Sequence, residues 1–329
     1  MDPVTESAIT YREALRQGLR DALKGDPDAI LLGEDVGRYG GAFAVSRGLL
    51  EEFGPERILD MPLSEAGFTG MAIGAAIAGL KPVVEIMTVN FSLLALDQLF
   101  NQAATLSHMT AGQVSVPIIV RISCGIGRQL AAQHSHSWEV LFAHVPGLKV
   151  WSAGTISDAR FILGQAMREP GPVIILEYTS LLNTEGPTGK DIPPLGNAVV
   201  RKNGKDLTLV TFGTGVGKCL DAAKLLESKG LSAEVIDLRS LRPLDEATIY
   251  NSVATTHRAL VVEDGWRSFG IGAEVAARIG ERCFFDLDAP VGRLAGVEVP
   301  IPYPLHLEQA CFPDPTAIAA AATKLSGHD

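Results

Sequence analysis

The chain has 329 residues, 47% of them hydrophobic and 20% charged, with a formal net charge of −10. That length exceeds one typical domain and that composition supplies a globular core, so two folded domains are expected and a disordered chain is excluded. The acidic balance leaves no basic stripe for nucleic acid, and Lys81 and Glu85 interrupt the best candidate for a membrane span, so neither partner is expected.

The N-terminal MDPVTESAITYREALRQGLRD has no apolar signal core and carries acids early. This predicts a cytoplasmic chain, or a mitochondrial-matrix one from which a transit peptide has been removed. Ile9 to Lys24 is an amphipathic helix, with Ala14, Leu15, Leu19, Ala22 and Leu23 on one face. Ala29 to Gly33 is a short apolar strand ending at Glu34-Asp35, acids that stand either where ligands bind in an α/β sheet or as solvated turn residues. A helical pattern follows from Arg47 to Phe53. The stretch Asp60 to Thr88 then reads as loop, helix, turn and strand. Ser64 stands where it can cap the helix, and Gly67, Gly70, Gly74 and Ala78 share one face, open to close approach by another backbone. Glu65 stands at the mouth of this helix among Leu63, Phe68, Met71 and Ile73. It is either a solvated acid favoured by the helix dipole or a proton-handling carboxylate in apolar surroundings.

Leu93 to Leu106 has helical periodicity, with Asp97 and Asn101 embedded. Pro117 to Ser123 is a buried-type strand, and a loop through Gln129 to His136 precedes a helix from Trp138 to Ala143. Strands at Leu148 to Trp151 and Pro172 to Glu177 flank a helix from Asp158 to Met167. This alternation predicts parallel β with crossover helices. Gly and Pro crowd residues 186–205, and the apolar period is lost there, so the linker is placed there. The pattern restarts with strands at Leu207–Phe212, Ala233–Leu238 and Ala259–Glu263, and helices at Val216–Ser228, Asp245–Val253 and Gly272–Arg282. A last strand at Pro290–Leu294 and a Pro-rich tail lead to an Ala-rich helix. The four cysteines form no CxxC pair and read as free core thiols in a reducing compartment.

Three familiar loops fail in detail. Phe212 and Cys219 stand where a phosphate loop needs Gly and Ser or Thr, Lys218 stands where a dinucleotide loop needs Gly, and no GxSxG element is present. A nucleotide-binding protein and a serine hydrolase are therefore disfavoured. His134 and His136 lie two apart on a loop, but no nearby residues complete a metal-ligand set.

Glu65, Gly70, Met71, Gly74 and Ala75 resemble the motif of the pyrimidine-binding half of thiamine-diphosphate enzymes. LLGEDVG, PLSEAGF, PVVEIMT, AAQHSHS, HVPGLKV, VIDLRSLRPLD and GIGAE extend the resemblance over nearly the whole chain. The family is the beta subunit of the decarboxylating 2-oxoacid dehydrogenase component, of pyruvate dehydrogenase type. The resemblance implies an α/β fold with mainly parallel sheets: a transketolase-like pyrimidine-binding domain over residues 1–185, a linker over 186–205 and a transketolase C-terminal-like domain over 206–329. It implies thiamine-diphosphate-dependent oxidative decarboxylation of a 2-oxoacid, pyruvate first, with acyl transfer to a lipoyl group. A branched-chain 2-oxoacid or acetoin dehydrogenase subunit is the near alternative, and a non-catalytic scaffold the distant one.

By the same resemblance, Glu65 would hydrogen-bond the cofactor's aminopyrimidine, and Leu63, Met87 and Phe91 would pack on that ring. His134 would assist acyl transfer; without the resemblance it reads as a surface-loop histidine. His136 stands where the family has glutamine. Glu34 and Asp97 would line a polar passage between paired active sites. Backbone carbonyls at Ile118, Ala166, Met167 and Glu169 would hold a monovalent cation such as potassium. No GDG motif is present to hold magnesium and the diphosphate. Those ligands would come from an alpha subunit in an alpha2beta2 heterotetramer, which would also meet a lipoyl-bearing acyltransferase core.

Overall fold

The computed structural model describes residues 8–327. Its larger sheet has seven strands. In spatial order they are Ile58–Asp60, Ala29–Gly33, Lys81–Ile86, Ile119–Cys124, Val173–Tyr178, Lys149–Ser152 and Ser240–Arg242. The first six are parallel and the last is antiparallel to its neighbour. Strands such as Ala29–Gly33 and Val173–Tyr178 are buried at every residue, as expected of a parallel sheet covered on both faces. One face packs against helices Tyr11–Gly25 and Ile156–Ala166. The other receives the Glu65–Ile77 helix through Phe68, Ala72, Ile73 and Ala76.

A second sheet of five strands runs Gly292–Gly296, Ala259–Trp266, Leu207–Thr211, Ala233–Asp237 and Val199–Lys202, the last antiparallel. Helices Gly215–Glu227 and Pro315–Leu325 cover one face through Cys219, Ala222, Leu226, Ile318 and Ala322. Its other face continues the core of the larger sheet: Val210, Ile236 and Val261 join one buried cluster with Val84, Ile122 and Phe142.

Local differences from the expected elements have physical reasons. Ile9–Thr10 pairs with Glu185–Gly186, so the first helix starts at Tyr11, capped by Thr10 on the Glu13 N–H at 3.1 Å. Residues 199–202, expected within the linker, form an edge strand; its VVRK sequence is too short to show a period. The single helix expected from Leu93 to Leu106 is instead a 3₁₀ turn at Phe91–Ala95, a π turn at Gln98–Ala103 and a short α turn at Leu106–Met109. The π turn brings Gln98 against Gly70, where an added Cβ would lie 3.2 Å from its Oε1. Ser64 occupies the N-cap position but its side chain makes no cap bond. Among the described residues no helix is long and apolar enough to cross a membrane. All four cysteines are free and buried.

Candidate active site

Four adjacent parallel strands send their C-terminal ends to one place. Ala29–Gly33 delivers Glu34, Ile58–Asp60 leads through Leu63 to Glu65, Lys81–Ile86 delivers Met87 and Phe91, and Ile119–Cys124 opens the loop that carries His134. Ligands of α/β sheets bind beyond these ends.

Glu65 is the first residue of its helix and only 2% exposed, which removes the solvated alternative. Its Oε2 has no hydrogen-bond partner, and neither does Oε1 of Glu34. Burial, together with the nearby Glu65 charge, pushes Glu34 up to about 7. A like charge close by disfavours the ionised form of a carboxyl. An unpaired buried carboxyl oxygen costs on the order of 1–3 kcal/mol or more unless something binds it. The pair is therefore built to meet a polar group from outside the chain.

Apolar surface surrounds it. Leu63 is 79% exposed and Met71 46% exposed, beside the carboxyl pair in sequence. Met87 packs on the core behind the sheet with Phe43 and Val45, while Phe91 packs on the opposite core. The Phe91 ring meets His134 edge to face, with centroids 5.3 Å apart. His136 turns elsewhere: it stacks on Trp138 at 4.4 Å, meets Trp266 at 5.2 Å, and its Nδ1 lies 2.6 Å from Asn90 Nδ2. Burial lowers the His136 pKa, so a neutral ring accepting from Asn90 at Nδ1 carries its proton on Nε2. It is a clasp on the loop. Among the described residues no cluster of three or more His, Cys, Asp or Glu is placed to hold a metal.

Asp97 is exposed and accepts from Asn101 at 2.7 Å; no contact joins it to Glu34 or Glu65 among the described residues. Of the four expected cation carbonyls, three already have donors. Ile118 O takes the Val173 N–H at 3.0 Å, Ala166 O the Glu169 N–H at 3.0 Å, and Met167 O the Lys81 ammonium at 3.3 Å. Lys81 is at the same time paired with Asp26 at 2.9 Å.

The glycine face of the Glu65 helix is covered in part within this chain, Gly67 by Ser64 and Gly70 by Gln98, but its C-terminal part is open. A Cβ on Gly74 would meet nothing within 4 Å, and Met71 and Ile77 beside it are 46% and 47% exposed. Sequence reasoning missed a buried charge triad beneath the site. Arg121 grips Glu177 with two bonds of 2.6 and 2.8 Å and Glu85 with one of 2.8 Å. The signal was available: one charge in the middle or at the end of each of three adjacent apolar strands, Glu85 in KPVVEI, Arg121 in IVRISC and Glu177 in VIILEY. Asn90 was also missed.

Both parts of the chain match known domain families: "Transketolase, pyrimidine binding domain" over residues 7–185 and "Transketolase, C-terminal domain" over 196–318. This defines the class as two transketolase-like α/β domains. A solved chain titled "Split gene transketolase, inactive beta4 tetramer" shares the fold, with TM-score 0.81 at 23% identity over 98% of this chain and 99% of that one. Pyruvate dehydrogenase E1 component subunit beta-2, mitochondrial, of Oryza sativa subsp. japonica is 46% identical over 322 residues, 96% of this chain and 86% of that protein. The Drosophila melanogaster mitochondrial beta subunit is 46% identical over 326 residues, covering 97% and 89%, and the Rhizobium meliloti beta subunit 42% over 321, covering 96% and 70%. The chain belongs to the pyruvate dehydrogenase E1 beta subunit family.

Proposed function

We propose that this chain supplies the pyrimidine-binding half of a thiamine-diphosphate site, in an enzyme that decarboxylates pyruvate and passes the acyl group to a lipoyl arm. The observation that carries the reading is the buried Glu65 carboxyl with an unpaired oxygen, beside Glu34, at the C-terminal edge of the parallel sheet. The cofactor, when bound, supplies addition to the keto carbon and storage of the electron pair released with carbon dioxide. The chain's own part is to hold a proton. With Glu34 near 7, the pair offers either a donor or an acceptor to an aminopyrimidine nitrogen at neutral pH. Leu63, Met87 and Phe91 give the ring apolar cover, and His134, steadied by Phe91, stands where it can deliver a proton during acyl transfer.

Magnesium and the diphosphate are assigned to an alpha subunit, because this chain lacks a GDG element. The open face of Gly74, Met71 and Ile77 is the surface we assign to subunit contact, and closed symmetry favours an alpha2beta2 assembly. Glu34 and Asp97 would then line one polar passage only once a partner orders the space between them. Potassium held by the carbonyls of Ile118, Ala166, Met167 and Glu169 would have to share three of them with the donors they already have.

Thiamine-diphosphate binding with magnesium tests this, on the isolated chain and on the chain co-expressed with its alpha partner. We expect binding only by the pair. In Glu65→Gln, decarboxylation should fall on the order of a hundredfold or more, the scale of lost proton-transfer catalysis. Binding by the isolated chain would place the diphosphate ligands here; absence of binding in both states would remove the reading. Comparing pyruvate with branched-chain 2-oxoacids and acetoin fixes the substrate.

A further inference from the structure

His134 ends a short 3₁₀ turn, Ala132–His134, on the loop that leaves strand Ile119–Cys124. Just before the turn the backbone is left-handed at Gln129 and Ala131, with φ of 52° and 60°. Such backbone is strained in residues that carry a side chain, so surrounding contacts must hold it. Two adjacent residues do so from outside the loop. The Phe91 ring meets the His134 ring edge to face, and Asn90 Nδ2 donates to the Ala132 carbonyl at 3.2 Å.

The Asn90 amide has a second contact. The same Nδ2 lies 2.6 Å from Nδ1 of His136, while Oδ1 is buried and has no partner among the described residues. The Ala132 carbonyl can only accept, which fixes the amide with Nδ2 toward the loop. Nδ1 of His136 must then accept as well, so the pair closes only on a ring with no proton at Nδ1. A proton there would face the amide N–H groups. Turning the amide over would bring the unpaired Oδ1 to that proton, but would set oxygen against the Ala132 oxygen and remove its donor. The ring itself is pinned: it stacks on Trp138, meets Trp266 of the C-terminal half, and its own carbonyl takes the Gly125 N–H at 2.9 Å. The amide is therefore the part that turns.

No charged neighbour competes for the ring. Its own loop carries Arg128, which lies over the Phe43 ring, and His134; the turn at residues 88–91 carries no charge. Burial pushes Glu139, next to Trp138, up to about 8, so it is uncharged where His136 titrates. Around Trp266, Glu263 accepts the Gly272 N–H at 3.0 Å, Asp264 holds the Lys218 ammonium at 2.7 Å, Arg267 donates to Arg293 O at 2.8 Å, and Glu298 accepts the Ser268 N–H at 2.7 Å. Burial alone shifts His136, downward from 6.5.

We propose that Asn90 is a positioning residue for His134 and that protonation of His136 switches it: on a neutral ring the amide holds the Ala132–His134 turn, and on an imidazolium it turns over and releases that turn. The effect on acyl transfer rests on the role proposed for His134 above. With the His136 pKa lowered, the loop is held at neutral pH and released only below pH 6.5. Glutamine at 136 offers Asn90 a carbonyl oxygen at every pH, so His136→Gln keeps the clasp and removes the switch.

The test uses the co-expressed alpha–beta assembly at about pH 8 and about pH 5, on either side of the histidine range. Wild type and His136→Gln are compared at the same pH, so the intrinsic pH dependence of amide exchange cancels. At the higher pH their exchange over residues 125–136 should match. At the lower, wild type should exchange on the order of tenfold faster there, with the strands of both sheets unchanged. Its kcat for lipoyl-domain acylation should fall on the order of tenfold relative to His136→Gln, with the same KM for pyruvate. Asn90→Ala, which lacks the donor, should show the loosened loop and lowered kcat at both pH values. Equal loop exchange in wild type and His136→Gln at the lower pH overturns the proposal, and so does a rise that extends to the sheet strands. Wild-type loop exchange in Asn90→Ala at the higher pH also overturns it; if that variant fails to fold, the first comparison still decides. If the wild-type assembly shows no cofactor-dependent decarboxylation, the functional reading fails, while the exchange data still decide the switch.

Discussion

At the scale of single residues, the carboxyl pair has a measurable signature in the isolated chain. Glu34 is pushed from the ordinary 4.5 up to about 7. Between these values the folded chain binds a proton that the unfolded chain does not. Stability from this group is therefore full below pH 4.5 and is lost as the pH rises toward 7. Glu34→Gln removes that loss. The variant should melt at a higher temperature than wild type at pH 8, with the difference vanishing near pH 4.5. Thermal melts across that range check it, and a difference independent of pH would mean that Glu34 is not held above its ordinary range. Glu65 was legible in the sequence because an acid among Leu63, Phe68 and Ile73 is conspicuous. Its partnership with Glu34 was not, since the residues lie 31 positions apart (65 minus 34) and meet only through strand order.

At the scale of elements, the parallel strands were easy to read because burial on both faces makes them apolar throughout. Their exceptions carry the energetics. Glu85 and Arg121 are register partners on adjacent strands, and Glu177 lies on the next strand. Arg121 and Glu177 are almost fully buried, as is most of Glu85. Removing the arginine alone leaves two carboxylates without a counter-charge. Arg121→Met should cost about 3–5 kcal/mol, whereas replacing all three with apolar residues should recover most of that. Burial raises the Glu177 pKa against the arginine, and without Arg121 the carboxyls regain protons, so the deficit should shrink at low pH. Urea midpoints at pH 5 and pH 8 measure both. A three-residue strand such as Ser240–Arg242 had no comparable signal, and its pairing is set by long-range packing.

At the scale of the whole molecule, the two halves are joined by more than a chain segment. Asp158 of the first half takes Arg239 at 2.8 Å and Arg201 at 2.7 Å, and Arg201 also holds Asp237 at 2.7 Å. Asp158, Arg239 and Asp237 are buried, and one apolar cluster runs between the sheets. The halves should therefore unfold together, as one calorimetric transition. Asp158→Asn should lower it by about 3–5 kcal/mol while leaving it single. Two separate wild-type transitions would contradict this coupling. The strand Ser240–Arg242 takes the consequence beyond stability. On a ribosome, the sheet that carries Glu34, Glu65 and His134 stays open along Lys149–Ser152 until codon 242 has been translated. A gene broken between the halves would encode a first product with a naked, aggregation-prone edge. Fission at that boundary is thus penalised at the first step of folding.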